Sequence, residues 1–360
     1  MNTGPVIRID ERLRSQVLAV GAQRIHVVSA GSGPLVVLCH GFPESWYSWR
    51  HQLSALAQEG YRAVALDMRG YGRSSKPAAV HDYRITELVA DCLGVVKALG
   101  EETAVIVGHD WGAPVAWTAA WTRPDVFRAV IGISIPFGGR GLMALPTSPF
   151  GERRPLEVQR EIAGPEMLFY QEYFGLPGGI EREFEQDVRA WLSGGFYSFS
   201  AAPPLPEELA GVDFTTLPDE MLIPVLRGTG LCIPHGAKMR DRMIVPDQPP
   251  AWLAPADLDF YVAELERTGI TGGLNYYRAI DLDWELLAAH EGSPVTVPAL
   301  FIGGDRDVVT IWARDALARA REMVPQMREH VILPNCGHWI QQEQPTAVNA
   351  AILEFLSGLT

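Results

Sequence analysis

Cysteine is scarce in this chain of 360 residues. The four present (Cys39, Cys92, Cys232 and Cys336) stand far apart, with no C-x-x-C pair. That spacing excludes a compact disulfide framework and reads as free thiols in a reducing cytosol. No apolar run approaches the ~18 residues of a membrane helix. The opening "MNTGPVIRIDERLRS" carries charges where a signal peptide needs an apolar stretch. Positive charge is in deficit too: 30 Lys and Arg against 43 Asp and Glu give a net charge of −13. A nucleic-acid partner would need a basic footprint instead. Neither H-E-x-x-H nor a clustered Cys/His set occurs, so no metal is expected. G-x-S-x-G is missing as well, which argues against an ordinary serine hydrolase. The expectation is a cytoplasmic protein with no nucleic-acid or membrane partner.

What is present alternates. The runs "RIHVV" (24–28), "LVVLC" (35–39), "RAVAL" (62–66), "AVIV" (104–107) and "AVIGIS" (129–134) each predict a buried strand. Residues 46–58, 84–99 and 113–122 between them have helical length and spacing. The pattern resumes with "ALFIG" (299–303), a helix near 311–324, "HVIL" (330–333) and a closing helix near 346–357. Alternation of this kind predicts a mostly parallel sheet covered by helices. From 137 to 296 it stops, and Pro- and Gly-rich segments separate helical patches rich in tyrosine and tryptophan. We therefore expect an α/β core over 1–136 and 297–360, with a helical cap inserted at 137–296.

Within this frame, "GHDWG" (108–112) follows a predicted strand and opens a helix, the context of a nucleophile elbow. Gly108 and Gly112 supply the small flanks such a turn needs, and Pro114 falls in the first helical turn. The residue on the turn is Asp110. A carboxylate, with an unperturbed pKa near ~3.9, is ionised at neutral pH and attacks without a base. It suits displacement at a saturated carbon, giving an alkyl-enzyme ester that water must then cleave.

That second step needs a base. His338, in "LPNCGHWIQQE" after the last predicted strand, lies where a doubly wound sheet places its active site. The acid that orients it should follow the preceding strand, where "FIGGDRDVVT" offers Asp305 and Asp307. The loop in "LCHGFPESWYSWR" (38–50) can present one backbone N–H to an oxyanion, with that of Trp111 as the other. Phe42-Pro43 in the same loop is a candidate cis bond. A proton donor for a strained ether should come from the cap, where a phenol remains a donor at neutral pH. Tyr170 and Tyr173 in "MLFYQEYF" and Tyr276 and Tyr277 in "GLNYYRAID" are the candidates.

Together these segments resemble the α/β-hydrolase-fold epoxide hydrolases, most of all the soluble mycobacterial type. The resemblance runs from about residue 17 to the end and rests on "HGFPESWYSWR", "DMRGYGRSS", "VGHDWGAPVAW", "FYQEYF", "YYRAIDLDW", "FIGGDRDV" and "GHWIQQE". It implies an eight-stranded, mostly parallel sheet with a helical lid, and cofactor-free hydrolysis of an epoxide to a vicinal diol. Asp110 is then the nucleophile and His338 the activator of water. The family pattern Gly-x-x-Asp favours Asp307 over Asp305. Tyr170 and Tyr277 match the ring-opening donors, with Tyr276 a rival to the latter, and Phe42 and Trp111 donate backbone N–H groups to the oxyanion. The implied partners are a small apolar epoxide, aryl or fatty-acid derived, and water, the protein acting as monomer or homodimer. A haloalkane or haloacid dehalogenase would use the same Asp, His and acid. It would need halide donors instead of paired cap tyrosines.

Overall fold

The apolar runs found in the sequence converge on one sheet. The structure, a computed structural model, describes residues 13–204, 212 and 217–359. Its strands are β1 (Arg14–Val20), β2 (Gln23–Ala30), β3 (Leu35–Cys39), β4 (Arg62–Leu66), β5 (Ala104–His109), β6 (Phe127–Ile133), β7 (Met167–Phe169), β8 (Cys232–Pro234), β9 (Ala299–Gly304) and β10 (Val331–Leu333). Eight of them form a sheet in the order β1-β2-β4-β3-β5-β6-β9-β10, parallel from β4 to β10. β2 pairs antiparallel with β1 and with β4. The seven expected strands are all present, within three residues of the expected ends. β1 carried no apolar run to betray it, because five of its seven residues are exposed. It forms by pairing along its whole length with β2 through a two-residue turn, where Gly21 takes φ 55.

Helices cover both faces of the sheet. α1 (Arg50–Gln58) and the closing helix Pro345–Ser357 lie on one side; α2 (Ile85–Ala98) and α3 (Gly112–Thr122) lie on the other. Along β3, Val36 and Leu38 enter one core, while Leu35, Val37 and Cys39 enter the other. This is the period-two alternation of a strand buried on both faces. The helix expected near 311–324 is instead three short pieces, Val308–Trp312, Arg314–Ala318 and Ala320–Met323.

Between β6 and β9 the chain leaves the sheet and builds α4 (Pro155–Ala163), α5 (Tyr170–Gly175), α6 (Gly179–Gln186), α7 (Val188–Ser198), α8 (Asp219–Gly228), α9 (Pro255–Thr268) and α10 (Thr271–Leu286). β7 and β8 form a small antiparallel pair among them, which the sequence pattern did not reveal. β6 and β9 are direct neighbours in register from Val130↔Ala299, so the insertion departs and returns at adjacent strands. That puts it over the carboxyl ends of the central strands. No helix among the described residues is long and apolar enough to cross a membrane.

The turn between β5 and α3 is the tightest point of the frame. Asp110 holds φ 48, a left-handed conformation costly for a residue with a Cβ. A Cβ on Gly108 would land inside the backbone of Gly112, and one on Gly112 inside the backbone of Cys39. Neither obstacle is a movable side chain. Gly112→Ala should therefore cost about 1–3 kcal/mol or more of stability. Gly179→Ala, whose Cβ would meet nothing within 4 Å, should stay within about 0.5 kcal/mol. Urea unfolding of the two variants checks this; equal midpoints would mean that the elbow tolerates a side chain.

Candidate active site

Asp110 leaves β5 at the floor of an apolar cavity whose walls include Phe42, Phe174, Trp191 and Trp339. The residue is 6% exposed. Oδ1 accepts a 2.6 Å hydrogen bond from the backbone N–H of Phe42, in the loop that follows β3. Gly41 makes this approach possible, since a Cβ there would collide with the Asp110 side chain. The Phe42-Pro43 bond in that loop is cis. Trp111 is the N-cap of α3, where backbone N–H groups have no intrahelical acceptor.

His338 arrives from the loop after β10, its Nε2 3.5 Å from Asp110 Oδ2. Its Nδ1 lies 3.1 Å from Asp307 Oδ1, at the end of β9. Asp307 is fully buried and caps the short helix that follows by accepting from the N–H of Val309. Asp305 sits exposed on the same turn and accepts instead from the N–H of Cys336. Of the two aspartates, Asp307 alone touches the histidine.

The charges reinforce one another. Burial by itself would lower the pKa of His338, but the carboxylates of Asp307 and Asp110 outweigh it and push the ring up to about 10. Burial would raise both carboxyls; His338, chiefly, holds each below its ordinary value. The resting arrangement is an imidazolium between two carboxylates.

Five polar residues in this network escaped the sequence reading. Ser134 Oγ donates to Asp307 Oδ2 at 2.6 Å and lies 3.1 Å from His338 Nδ1. It occupies φ 72 just past the end of β6, where the sequence pattern counted it as strand. Glu44 and His109, both fully enclosed, form a 2.9 Å pair, and the other ring nitrogen of His109 lies 2.8 Å from the carbonyl of His338. Gln341 and Gln342 donate to the second oxygen of Glu44. The position of Ser134 after a strand was a usable signal; the other pairing spans 65 residues and had none.

The cap supplies the facing hydroxyls. Tyr170 on α5 and Tyr277 on α10 both line the cavity, their ring centroids 6.0 Å apart. Burial, helped by the Asp110 charge, raises both phenols above their usual range, so they stay protonated. The other two candidates point elsewhere: Tyr276 donates to the carbonyl of Arg69 at 2.8 Å and Tyr173 to Glu183 at 2.7 Å. Adjacent residues on a helix are about 100° apart, so Tyr276 and Tyr277 cannot face the same cavity.

The chain is similar to known proteins along nearly its whole length. Residues 34–161 match the family model described as the alpha/beta hydrolase fold. The chain is 51% identical to epoxide hydrolase B of Mycobacterium tuberculosis over 96% of its own length and 98% of that protein. It is 40% identical to epoxide hydrolase A of the same organism, covering 93% and 95%. Among solved structures, an epoxide hydrolase from an endophytic Streptomyces superposes with a TM-score of 0.87 at 47% identity, covering 97% of both chains. Epoxide hydrolase A from Mycobacterium thermoresistibile gives 0.82 at 38%, covering 96% and 98%. With its nucleophile elbow, its inserted helices and this degree of likeness along nearly its whole length, the chain belongs to the epoxide hydrolases of the α/β-hydrolase fold.

Proposed function

We propose that this protein opens a sizeable apolar epoxide through a covalent ester on Asp110 and releases a vicinal diol. One observation carries the assignment of residues: a buried carboxylate, a histidine paired with a second carboxylate, and two phenols all face one apolar cavity. Tyr170 and Tyr277 hydrogen-bond the epoxide oxygen. Asp110 Oδ2 attacks a ring carbon; the ring C–O bond breaks, and a tyrosine protonates the alkoxide. Oδ1, bonded to Phe42 N–H, is left as the ester carbonyl.

Alkylation also changes the histidine. Once Asp110 is an ester its charge is gone, and His338 loses one of the two carboxylates that held it protonated. Its proton passes to the phenolate left by ring opening, and the neutral ring becomes a base for the step that needs one. His338, oriented by Asp307, takes a proton from water, which adds to Cγ of Asp110. The negative charge moves to Oδ1, where the N–H groups of Phe42 and Trp111 receive it. Collapse breaks the Cγ–Oδ2 bond and the diol leaves with the proton from His338; the second water proton, left on the Asp110 carboxyl, passes to the neutral ring and restores the resting ion pair. The same N–H that fixes the nucleophile thus serves the second half-reaction.

In this reading residues 1–136 and 297–360 form the catalytic core and 137–296 the cap. The four cysteines, free and buried, suit a cytoplasmic setting, and the protein acts as a monomer or homodimer, which sedimentation distinguishes. A halide-displacing enzyme would need a side-chain donor where Phe42 offers a hydrocarbon ring; halide release measured beside diol formation separates the two chemistries.

His338→Gln should open the ring and stall, with substrate mass accumulating on Asp110 by mass spectrometry and turnover down about 10²–10⁴-fold. Asp110→Ala should form neither adduct nor diol. Normal turnover by His338→Gln would remove that residue from the mechanism.

The pH dependence has a definite sign. His338 works as a neutral base, so hydrolysis of the alkyl-enzyme should fall as pH drops through the histidine's pKa in that intermediate. That pKa should lie below the value of about 10 in the resting protein. Asp307→Asn removes the leading influence that raises His338, and its NMR titration should move down. An unmoved titration would show that Asp307 is not its partner.

A further inference from the structure

Of the tyrosines in the lower cap and its surroundings, most spend their proton on the protein. Tyr47 donates to Asp257, Tyr83 to the carbonyl of Pro77, Tyr173 to Glu183, Tyr261 to Gln342 and Tyr276 to the carbonyl of Arg69. Tyr170 does the reverse. Its oxygen accepts a 2.9 Å hydrogen bond from Nε2 of the next residue, Gln171.

Gln171 is 1% exposed, and a buried amide must have both of its ends satisfied. Its Oε1 accepts from Nε2 of Gln159, on α4, at 2.8 Å. Gln159 is buried as well. The two amides therefore form a chain running from α4 to the phenol, with N–H groups pointing toward Tyr170. A phenol has one proton to give. With its lone pair already engaged by Gln171, the O–H of Tyr170 has no acceptor among the described residues and lies at the wall of the cavity that holds Asp110.

We propose that Gln171, its amide oriented by Gln159, is a positioning residue that turns the Tyr170 proton toward the substrate oxygen and steadies the phenol oxygen as that proton departs. The inference rests on Tyr170 being a ring-opening donor. The proton moves from Tyr170 Oη to the epoxide oxygen as the ring C–O bond breaks, leaving negative charge on Oη. A neutral donor bonds a charged oxygen more strongly than a neutral one. The Gln171 contact is therefore stronger in the transition state than before it, the condition for accelerating a step instead of only binding substrate. Gln171 never touches the reacting carbon and acts through Tyr170 alone.

Single-turnover alkylation of Asp110 by styrene oxide tests this with Gln171→Glu, Gln171→Met, Tyr170→Phe and the double variant Tyr170→Phe/Gln171→Glu. A carboxyl at 171 presents an acceptor that draws the Tyr170 proton away from the cavity. Ring opening by Gln171→Glu should slow about tenfold or more, and by Gln171→Met somewhat less. Hydrolysis of the preformed alkyl-enzyme should stay at the parent rate in both, which a general loss of structure would not allow. In the Tyr170→Phe background the Gln171→Glu change should add no further loss. If Tyr170→Phe slows alkylation while both Gln171 variants alkylate at the parent rate, or if the losses multiply in the double variant, the amide chain has no such role. If Tyr170→Phe itself alkylates at the parent rate, the assignment of Tyr170 as donor fails, and this inference with it.

Discussion

A buried carboxylate on a left-handed turn is the constraint on which the rest of this site depends. Asp110 is nearly sealed from water and held at φ 48, so both its charge and its backbone are costly. The surrounding structure compensates at each point. Gly108 and Gly112 let β5, β3 and α3 approach closely enough to enforce the turn. The N–H of Phe42 and the ring of His338 satisfy the charge, and His109 adds a favourable field.

His338 belongs to the same electrostatic arrangement. It is attracted by two carboxylates in a place that would otherwise strip its proton, and its charge follows theirs. In the proposed reaction a site organised this way supplies its own timing: attack by Asp110 removes the charge that kept the histidine from acting as a base. Position is enforced separately. Ser134 and Thr310 hold Asp307. Glu44 and His109 fix the carbonyl of His338, and Glu343 accepts from the N–H groups of Gly337 and Trp339 on either side of it. A Cβ on Gly337 would enter the backbone of Ser200 and Ala201, so that loop can pack under the insertion only with glycine there.

The insertion completes the chemistry by closing the cavity with aromatic walls and two phenols. Phe42 stands against both Phe174 and Tyr277, at 5.2 and 5.4 Å between centroids, linking the loop that binds Asp110 to the helices that carry Tyr170 and Tyr277. An apolar enclosure of this kind strengthens every charge interaction inside it. It also explains why the phenols remain protonated beside a carboxylate.

Much of this was readable in the residues themselves. Buried parallel strands need continuous apolar runs, and a strained elbow needs its glycines, so seven strands and the place of Asp110 follow from local physics. Local pattern also gave His338, by its position after the last strand. It left Asp305 and Asp307 unresolved, and likewise four tyrosines, because each pair is chemically alike within its own segment. The family resemblance favoured Asp307, Tyr170 and Tyr277, and direction in the fold parts them from their neighbours: Asp307 turns inward while Asp305 meets solvent, and helical geometry sends Tyr276 to Arg69 and Tyr277 to the cavity. β1 and the β7–β8 pair exist only through their partners and had no signal of their own. The sequence by itself determined the chemical groups and the order in which the chain presents them. Only the tertiary structure decided which oxygen faces which proton, because hydrogen bonds between residues 65 to 229 positions apart depend on how the segments are brought together.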